Sequence, residues 1–329
     1  MRRLALSVSV AVAFCIFCLI CLDALLHLTH YDALVPTSTA AKGYFMVGGP
    51  TGVDIAPNYP KTHMDLFDSP FDIWSNSLGC FDTPFDEEHD IPFVYLAGDS
   101  YTWGYASFED KWGTLMEKIL HTRILKCGVP GTGTAQELAK AEQTLDRIQR
   151  TPELIVLGYT ATDPFDDMNP HSQSSCGTIS QPCWPLVTFL SGHSVLYNMN
   201  RALFGSFLDS TFRPMADDLY GPNFKALSSF AKLAHLRHSQ FLVVLIPSKK
   251  SIEAKNKDLA FLKQRHFLRN AHIPFMDLTE EFRNFYSETG VPLYWKHDPH
   301  LNILGNEMTA LLVSKYIVEH HLLAQKNSY

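Results

Sequence analysis

Three residues, widely separated in the chain, are of types that together could do nucleophilic chemistry. Ser100 stands in FVYLAGDSYTWG (93–104), and Asp298 and His300 stand two apart in YWKHDPHLN (294–302). A serine hydroxyl is a weak nucleophile at neutral pH. It needs an adjacent base, and the base needs a third group to orient it. An extended or turn-like backbone at Asp298-Pro299-His300 lets the carboxylate reach the Nδ1 of its neighbour while Nε2 points outward. Asn302 is suited to cap a helix starting at Ile303, which would fix this loop. Taken singly, each piece has a plainer reading: Asp99-Ser100 as a helix cap, Asp-x-His as a chance spacing.

The elements that must position these residues follow from periodicity. Phe93–Leu96 reads as a buried strand that hands Ser100 to a turn. Trp112, Leu115, Met116 and Ile119 give helical spacing over 108–120. A serine between a strand's carboxyl end and the next helix sits where open α/β sheets bind ligands. The helix amino end also offers N–H groups and a favourable field to an oxyanion. Beyond it the sequence predicts a strand over 123–127, a Gly-rich loop over 128–133, a helix over 134–150 and a strand over 154–157. After an irregular stretch come a helix over 224–238, a strand over 241–246 (FLVVLI), a charged helix over 252–270, a strand over 273–276 and a closing helix over 303–321. Alternating β and α elements with near-continuous apolar strands imply a parallel sheet with helices on both faces.

At 329 residues, with 46% hydrophobic and 19% charged residues, the chain can bury a large core. A net charge of −7 and the lack of a long Lys/Arg run exclude nucleic acid as an expected partner. The division expected is residues 1–26 as a membrane anchor or signal segment, 27–92 as linker and N-terminal extension, and 93–329 as the α/β domain. Within the last, 164–221 is an insertion or lid. Arg2-Arg3 precede Leu4–Leu22, an uncharged run that at about 1.5 Å per residue nearly crosses a hydrocarbon core of roughly 30 Å. The arginines place the amino terminus in the cytoplasm and the body outside, periplasmic in a bacterial cell. A secreted chain with this segment cleaved is the alternative. Residues 46–92, rich in Gly, Pro, Asp and aromatics, predict turns and short strands wrapped on the domain.

Cys15, Cys18 and Cys21 lie in the apolar run. Cys176 and Cys183 could close a short loop in an oxidising compartment, and Cys127 is expected to pack. No cysteine or histidine spacing resembles a zinc site, and no cofactor or metal is expected. His235 and His238 read as a solvated helix face, Asp166-Asp167 as a turn or helix cap, His320-His321 as a helix end and Asn76 as a structural turn, with an approach to the site as its alternative. Trp103 and Tyr105, beside Ser100, either line an acyl or sugar pocket or pack against the extension.

Gly98-Asp99-Ser100, the loop Gly128–Gly133, the strand end Gly158–Asp163 and Asp298-x-His300-x-Asn302-x-x-Gly305 occur in the order of the conserved blocks of the SGNH/GDSL hydrolases, and residues 93–321 resemble that superfamily. The resemblance implies a flavodoxin-like three-layer α/β/α sandwich with a five-stranded parallel sheet. It implies Ser100 as nucleophile, His300 as general base and acid, and Asp298 as the residue orienting His300. It also implies an oxyanion hole from the N–H groups of Ser100 and Gly131 and an Asn side chain, at whose position this chain has Thr162, followed by Asp163. A threonine has the shorter reach, and losing one such donor typically costs about 2.7–4 kcal/mol of transition-state stabilisation. The expected activity is hydrolysis of small acyl esters such as acetyl, on a saccharide by analogy with the superfamily. The alternatives are an O-acyltransferase passing an acetyl group to a polysaccharide, or a weakly active or non-catalytic binding protein on the same scaffold.

Overall fold

The computed structural model describes residues 2–29, 43–47, 51–64, 68, 70–86, 91–168, 194–197, 199–200, 219–253 and 261–324. Five strands form one parallel sheet: β5 (Phe93–Gly98), β6 (Arg123–Lys126), β7 (Leu154–Tyr159), β8 (Gln240–Leu245) and β9 (Phe275–Asp277), in the order β6-β5-β7-β8-β9. All neighbours run parallel, and Gly98 pairs with Gly158 at the carboxyl ends of β5 and β7. Every residue of β5 and β7 is buried, as expected for strands covered on both faces.

Helices close both faces. On one, α4 (Thr134–Ile148), α6 (Gly221–Leu236) and α8 (Leu262–Asn270) bury Leu145, Phe230 and Leu268 against Tyr95, Leu157 and Val243. On the other, α3 (Trp112–Leu120), α9 (Thr279–Thr289) and α10 (Ile303–Glu319) bury Trp112, Met116, Phe282 and Val313 against Val94, Val156 and Leu242. The three-layer sandwich expected from the sequence is the fold. The connection from β5 into α2 (Ser100–Trp103) leaves at the point where the winding reverses, since β5 has β6 on one side and β7 on the other.

Some boundaries differ. The turn expected after Gly98 is the short helix α2, and 108–110 is a 3₁₀ turn ahead of α3. The single charged helix expected over 252–270 is described as α7 (Lys249–Glu253) and α8, with 254–260 outside the described residues. Helix α9 was not anticipated, although Phe282, Phe285 and Tyr286 fall at i, i+3, i+4. Of the expected insertion, α5 (Asp163–Met168) and a few residues near Val195 are described; Cys176 and Cys183 lie outside the described residues.

The segment before the sheet contains two antiparallel pairs, β1 (Phe45–Val47) with β2 (Val53–Ile55) and β3 (Thr62–Met64) with β4 (Phe71–Ile73). Tyr44, Ile55, Phe71, Ile73 and Phe81 form a third cluster that includes Trp103 and Val129 of the sheet domain. Asp82, fully buried, accepts from the Arg123 guanidinium at 2.9 Å and the Lys126 backbone N–H at 3.1 Å, both on β6. Asp54 pairs with Lys140 of α4 at 2.7 Å. A disulfide joins Cys80 to Cys127. This overturns the expectation that Cys127 is a packing residue. Asn76 Oδ1 accepts from the N–H groups of Leu78 and Cys80, and that turn brings the Cys80 Cα within 4.5 Å of the Cys127 Cα at the end of β6. Asn76 is therefore the structural turn. Closing a loop of this size stabilises a fold by about 4 kcal/mol on the chain-entropy account.

Ahead of all this, α1 (Arg2–Leu28) is one apolar helix. Its stretch Ser9–Leu28 is long and apolar enough to cross a membrane, with Phe14, Phe17 and Ile20 exposed.

Candidate active site

Ser100 is the first residue of α2. Its predecessor Asp99 caps that helix by accepting from the Tyr101 N–H at 2.8 Å. The turn is possible because Gly98 takes φ +147°, and a methyl group there would strike the Thr102 hydroxyl and the Gly158 carbonyl oxygen. As a first-turn residue, Ser100 has a backbone N–H with no partner within its helix.

The second half of the site comes from the loop before α10. An isolated bridge between Tyr294 and Leu301 and a hydrogen bond from the Trp295 N–H to the His300 carbonyl close this loop. Asn302 caps α10, accepting from the Gly305 N–H at 2.9 Å, while its amide donates to the carbonyls of Pro292 and Tyr294. The loop is thus fixed from both ends, and His300 Nε2 lies 2.8 Å from Ser100 Oγ. His300 Nδ1 lies 2.6 Å from Asp298 Oδ1, which also accepts the His300 backbone N–H at 2.8 Å. Burial alone would raise Asp298. The hydrogen bonds from His300 and the imidazole charge reverse this and hold the carboxyl below the usual range. The chain of contacts can pass a proton from the hydroxyl to an imidazole whose tautomer Asp298 sets.

Four further residues brace the site. Two tyrosines lie against the imidazole: Tyr105 stacks on it with centroids 4.0 Å apart, and Tyr101 is tilted against it at 4.8 Å. The Tyr101 hydroxyl donates to the Pro299 carbonyl at 3.0 Å. Lys249 of α7 donates to the carbonyls of Trp295 and Lys296. Asp68, from the N-terminal segment, contacts His297 Nδ1 and accepts its backbone N–H, each at 2.9 Å. The Asp68 contact had no sequence signal, since a lone aspartate among turn residues gives no hint of a partner 229 positions away. Tyr105 was the legible one, flagged by its nearness to Ser100. Trp103 is a core residue, packed among Phe71 and Phe81 and donating to the Tyr44 hydroxyl at 3.1 Å.

The remaining expected residues lie on two more strand ends. Gly131 follows β6 and Cys127, with φ +82°. Thr162 follows β7 and is exposed, and its hydroxyl lies 2.9 Å from that of Thr160. Asp163 is buried, its Oδ1 accepting the Thr160 N–H at 3.1 Å. Asp167 caps α4 by accepting the Ala135 N–H at 2.7 Å, and burial raises its carboxyl.

No family model matches the chain, and no curated protein matches it. Among solved structures it is similar to an acetyl xylan esterase, at 15% identity and a TM-score of 0.44, over 68% of this chain and 99% of that one. It is also similar to lipolytic proteins of the G-D-S-L family from two bacteria. That from Veillonella parvula is 12% identical with a TM-score of 0.43, over 69% of this chain and 98% of its own. That from Desulfitobacterium hafniense is 11% identical with a TM-score of 0.40, over 68% and 98%.

Proposed function

We propose that the protein is a serine esterase anchored outside the cytoplasm by α1, acting on small acyl esters such as acetyl groups on a saccharide. The observation that carries this is the contact chain Ser100 Oγ–His300 Nε2 and His300 Nδ1–Asp298. His300 takes the Ser100 proton as the hydroxyl oxygen attacks the ester carbonyl. The tetrahedral oxyanion faces the N–H groups of Ser100 and Gly131, with Thr162 as the third candidate donor. His300 then protonates the leaving alkoxide, and water, activated by the same imidazole, releases the acid from the acyl-enzyme. The saccharide comes from the resemblance of the sequence blocks alone.

Two features support the location: Arg2-Arg3 ahead of an apolar helix, and the Cys80–Cys127 disulfide, a bond that persists in oxidising compartments. The test is hydrolysis of p-nitrophenyl acetate by the full-length protein in mild detergent, with labelling by a fluorophosphonate. Ser100→Ala is expected to lower kcat by about 10⁴-fold or more and to abolish labelling. A wild type that neither hydrolyses the ester nor takes the label ends the esterase reading. Acyl transfer outrunning hydrolysis when a sugar acceptor is added assigns the transferase instead. Release of the protein from membranes by salt would refute the anchor.

A further inference from the structure

The Thr160 hydroxyl, in the buried turn at the end of β7, has three oxygen neighbours. Its Oγ1 lies 2.9 Å from Asp99 Oδ2, 2.8 Å from Asp163 Oδ1 and 2.9 Å from the Thr162 hydroxyl. A hydroxyl has one proton to give and two lone pairs to receive with. Three hydrogen bonds at one hydroxyl therefore need two incoming protons. Thr162 can bring at most one, so at least one has to come from a carboxyl group. Were Asp99 and Asp163 both ionised, one carboxylate oxygen would face a lone pair of Thr160 across a hydrogen-bond distance inside the protein, with no proton between them.

We propose that Asp99 and Asp163 hold one proton between them at neutral pH, and that Thr160, clasping both carboxyls, is the positioning residue that fixes the turn carrying Ser100. The second half of this statement rests on the reading of Ser100 as nucleophile; the first half does not.

The groups packed around the pair act in both directions, donors and the His300 imidazole favouring the ionised form and neighbouring carboxyls the protonated one. From β5 and α2, Asp99 accepts the Tyr101 N–H, and the His300 imidazole is the positive influence acting on it. From α4, the Thr134 hydroxyl donates to Asp163 Oδ2 at 3.0 Å, and Glu137 adds a buried carboxyl with neither oxygen hydrogen-bonded among the described residues. From α5, Asp166 and Asp167 add negative charge near Glu137, and Asp167 adds it near Asp163. From α6, Asn223 donates to Thr134 and to Asp167. Lys140 of α4 is committed to Asp54 and the Leu78 carbonyl.

Burial pushes Asp99 up to about 6, against the pull of its hydrogen bonds from Tyr101 and Thr160. Burial, with the Asp99 charge behind it, pushes Asp163 well above the usual range, and burial does the same to Glu137. The pair therefore loses its protons in two macroscopic steps that belong to both residues. Unfolded aspartate titrates near about 3.9, so the stabilisation held in these protons is complete below that pH. It is lost as pH rises through the range in which the pair gives up its protons, which for Asp99 lies at about 6.

The shared proton counts against Thr162 as the third oxyanion donor at neutral pH. With one proton on the pair, Thr160 donates to a carboxylate, and the Thr162 proton points inward to Thr160. The Thr162 proton turns outward, toward a substrate oxyanion, when both carboxyls are protonated and Thr160 donates to Thr162.

The first test reads the proton directly. Infrared spectra of the full-length protein in detergent at pH 7 report protonated carboxyls by their C=O stretch. Asp99→Asn and Asp163→Asn each replace the shared proton with an amide donor to Thr160. Both variants are expected to lose the same single band, and Glu137→Gln a different one. Loss of the shared band in neither variant, or in only one of them, overturns the sharing.

The second test reads the clasp. Thr160→Val keeps the shape and removes the hydroxyl. Its kcat on p-nitrophenyl acetate is expected to fall by about ten- to a hundredfold with KM held within about threefold, and Thr160→Ser to restore it. An unchanged kcat in Thr160→Val overturns the positioning role. If the valine variant does not fold, the serine variant decides: a fall in its kcat to a tenth or less with a native thermal transition overturns the role. A wild type without esterase activity ends the esterase reading, while the infrared result still decides the shared proton.

Discussion

The strands β5 and β7 lie side by side, pair Gly98 with Gly158 near their carboxyl ends, and then diverge in chemistry. After Gly98 the chain turns at once into a helix and leaves a hydroxyl within reach of an imidazole. After Gly158 it runs on through Tyr159 to a hydroxyl buried among carboxyls. The same residue class, an alcohol two positions beyond a paired glycine, faces an imidazole in one place and carboxyls in the other. What differs is the partner. Ser100 meets a base from a distant loop, and Thr160 meets acids from its own turn and its neighbour's.

Substitutions can break or sharpen this contrast. The largest effect is expected on the β5 side from Asp298→Asn, which leaves the loop in place but removes control of the imidazole tautomer. A fall in kcat of about 10⁴-fold with an unchanged thermal transition is expected, and near-normal turnover would remove Asp298 from the relay. Replacing Cys80 and Cys127 together by Ser is expected to cost up to about 4 kcal/mol of stability in denaturant unfolding. Its kcat should fall too, since Cys127 leads into the Gly131 loop; normal kcat at full folding would separate the loop's position from the bond.

The two glycines themselves should part company. Gly158→Ala is blocked chiefly by the Thr102 hydroxyl, a buried group with no partner, so Thr102→Ala should restore most of the lost stability. Gly98→Ala faces a backbone carbonyl and a positive φ, and a loss of about 3 kcal/mol or more should persist in the Thr102→Ala background. Equal rescue at both would mean that one side chain governs both strand ends. The smallest change is expected from Thr162→Asn, which brings an amide donor to the rim and should hold or raise kcat. A tenfold fall with intact folding would show that the threonine hydroxyl has its own task.

Much of the sheet was legible because parallel strands buried on both faces leave unbroken apolar runs, as in FLVVLI before Pro247. The relay was legible because Asp298 and His300 are close in sequence and their loop is bounded by a capping Asn302. The N-terminal segment hid its partners. Its strands are three residues each, too short for periodicity, and its links to the domain include Asp82 to β6, Asp54 to Lys140, Asp68 to His297 and Cys80 to Cys127. Such long-range pairs depend on topology, so local pattern does not carry them. Thr160 was missed for a related reason: the family comparison drew attention to Thr162, while the proton arithmetic that distinguishes Thr160 needs distances.

The two tyrosines that flank His300 restrict more than its position. Turning the ring over about its Cβ–Cγ bond would break the Tyr105 stack and the tilted Tyr101 contact. In the proposed reaction the imidazole is therefore confined to one face-up orientation through the whole cycle. The nitrogen that collects the proton from Ser100 is also the one that must surrender it to the departing alcohol. The alcohol, and later the incoming water, must come to Nε2 along the same side of the cleft as Ser100.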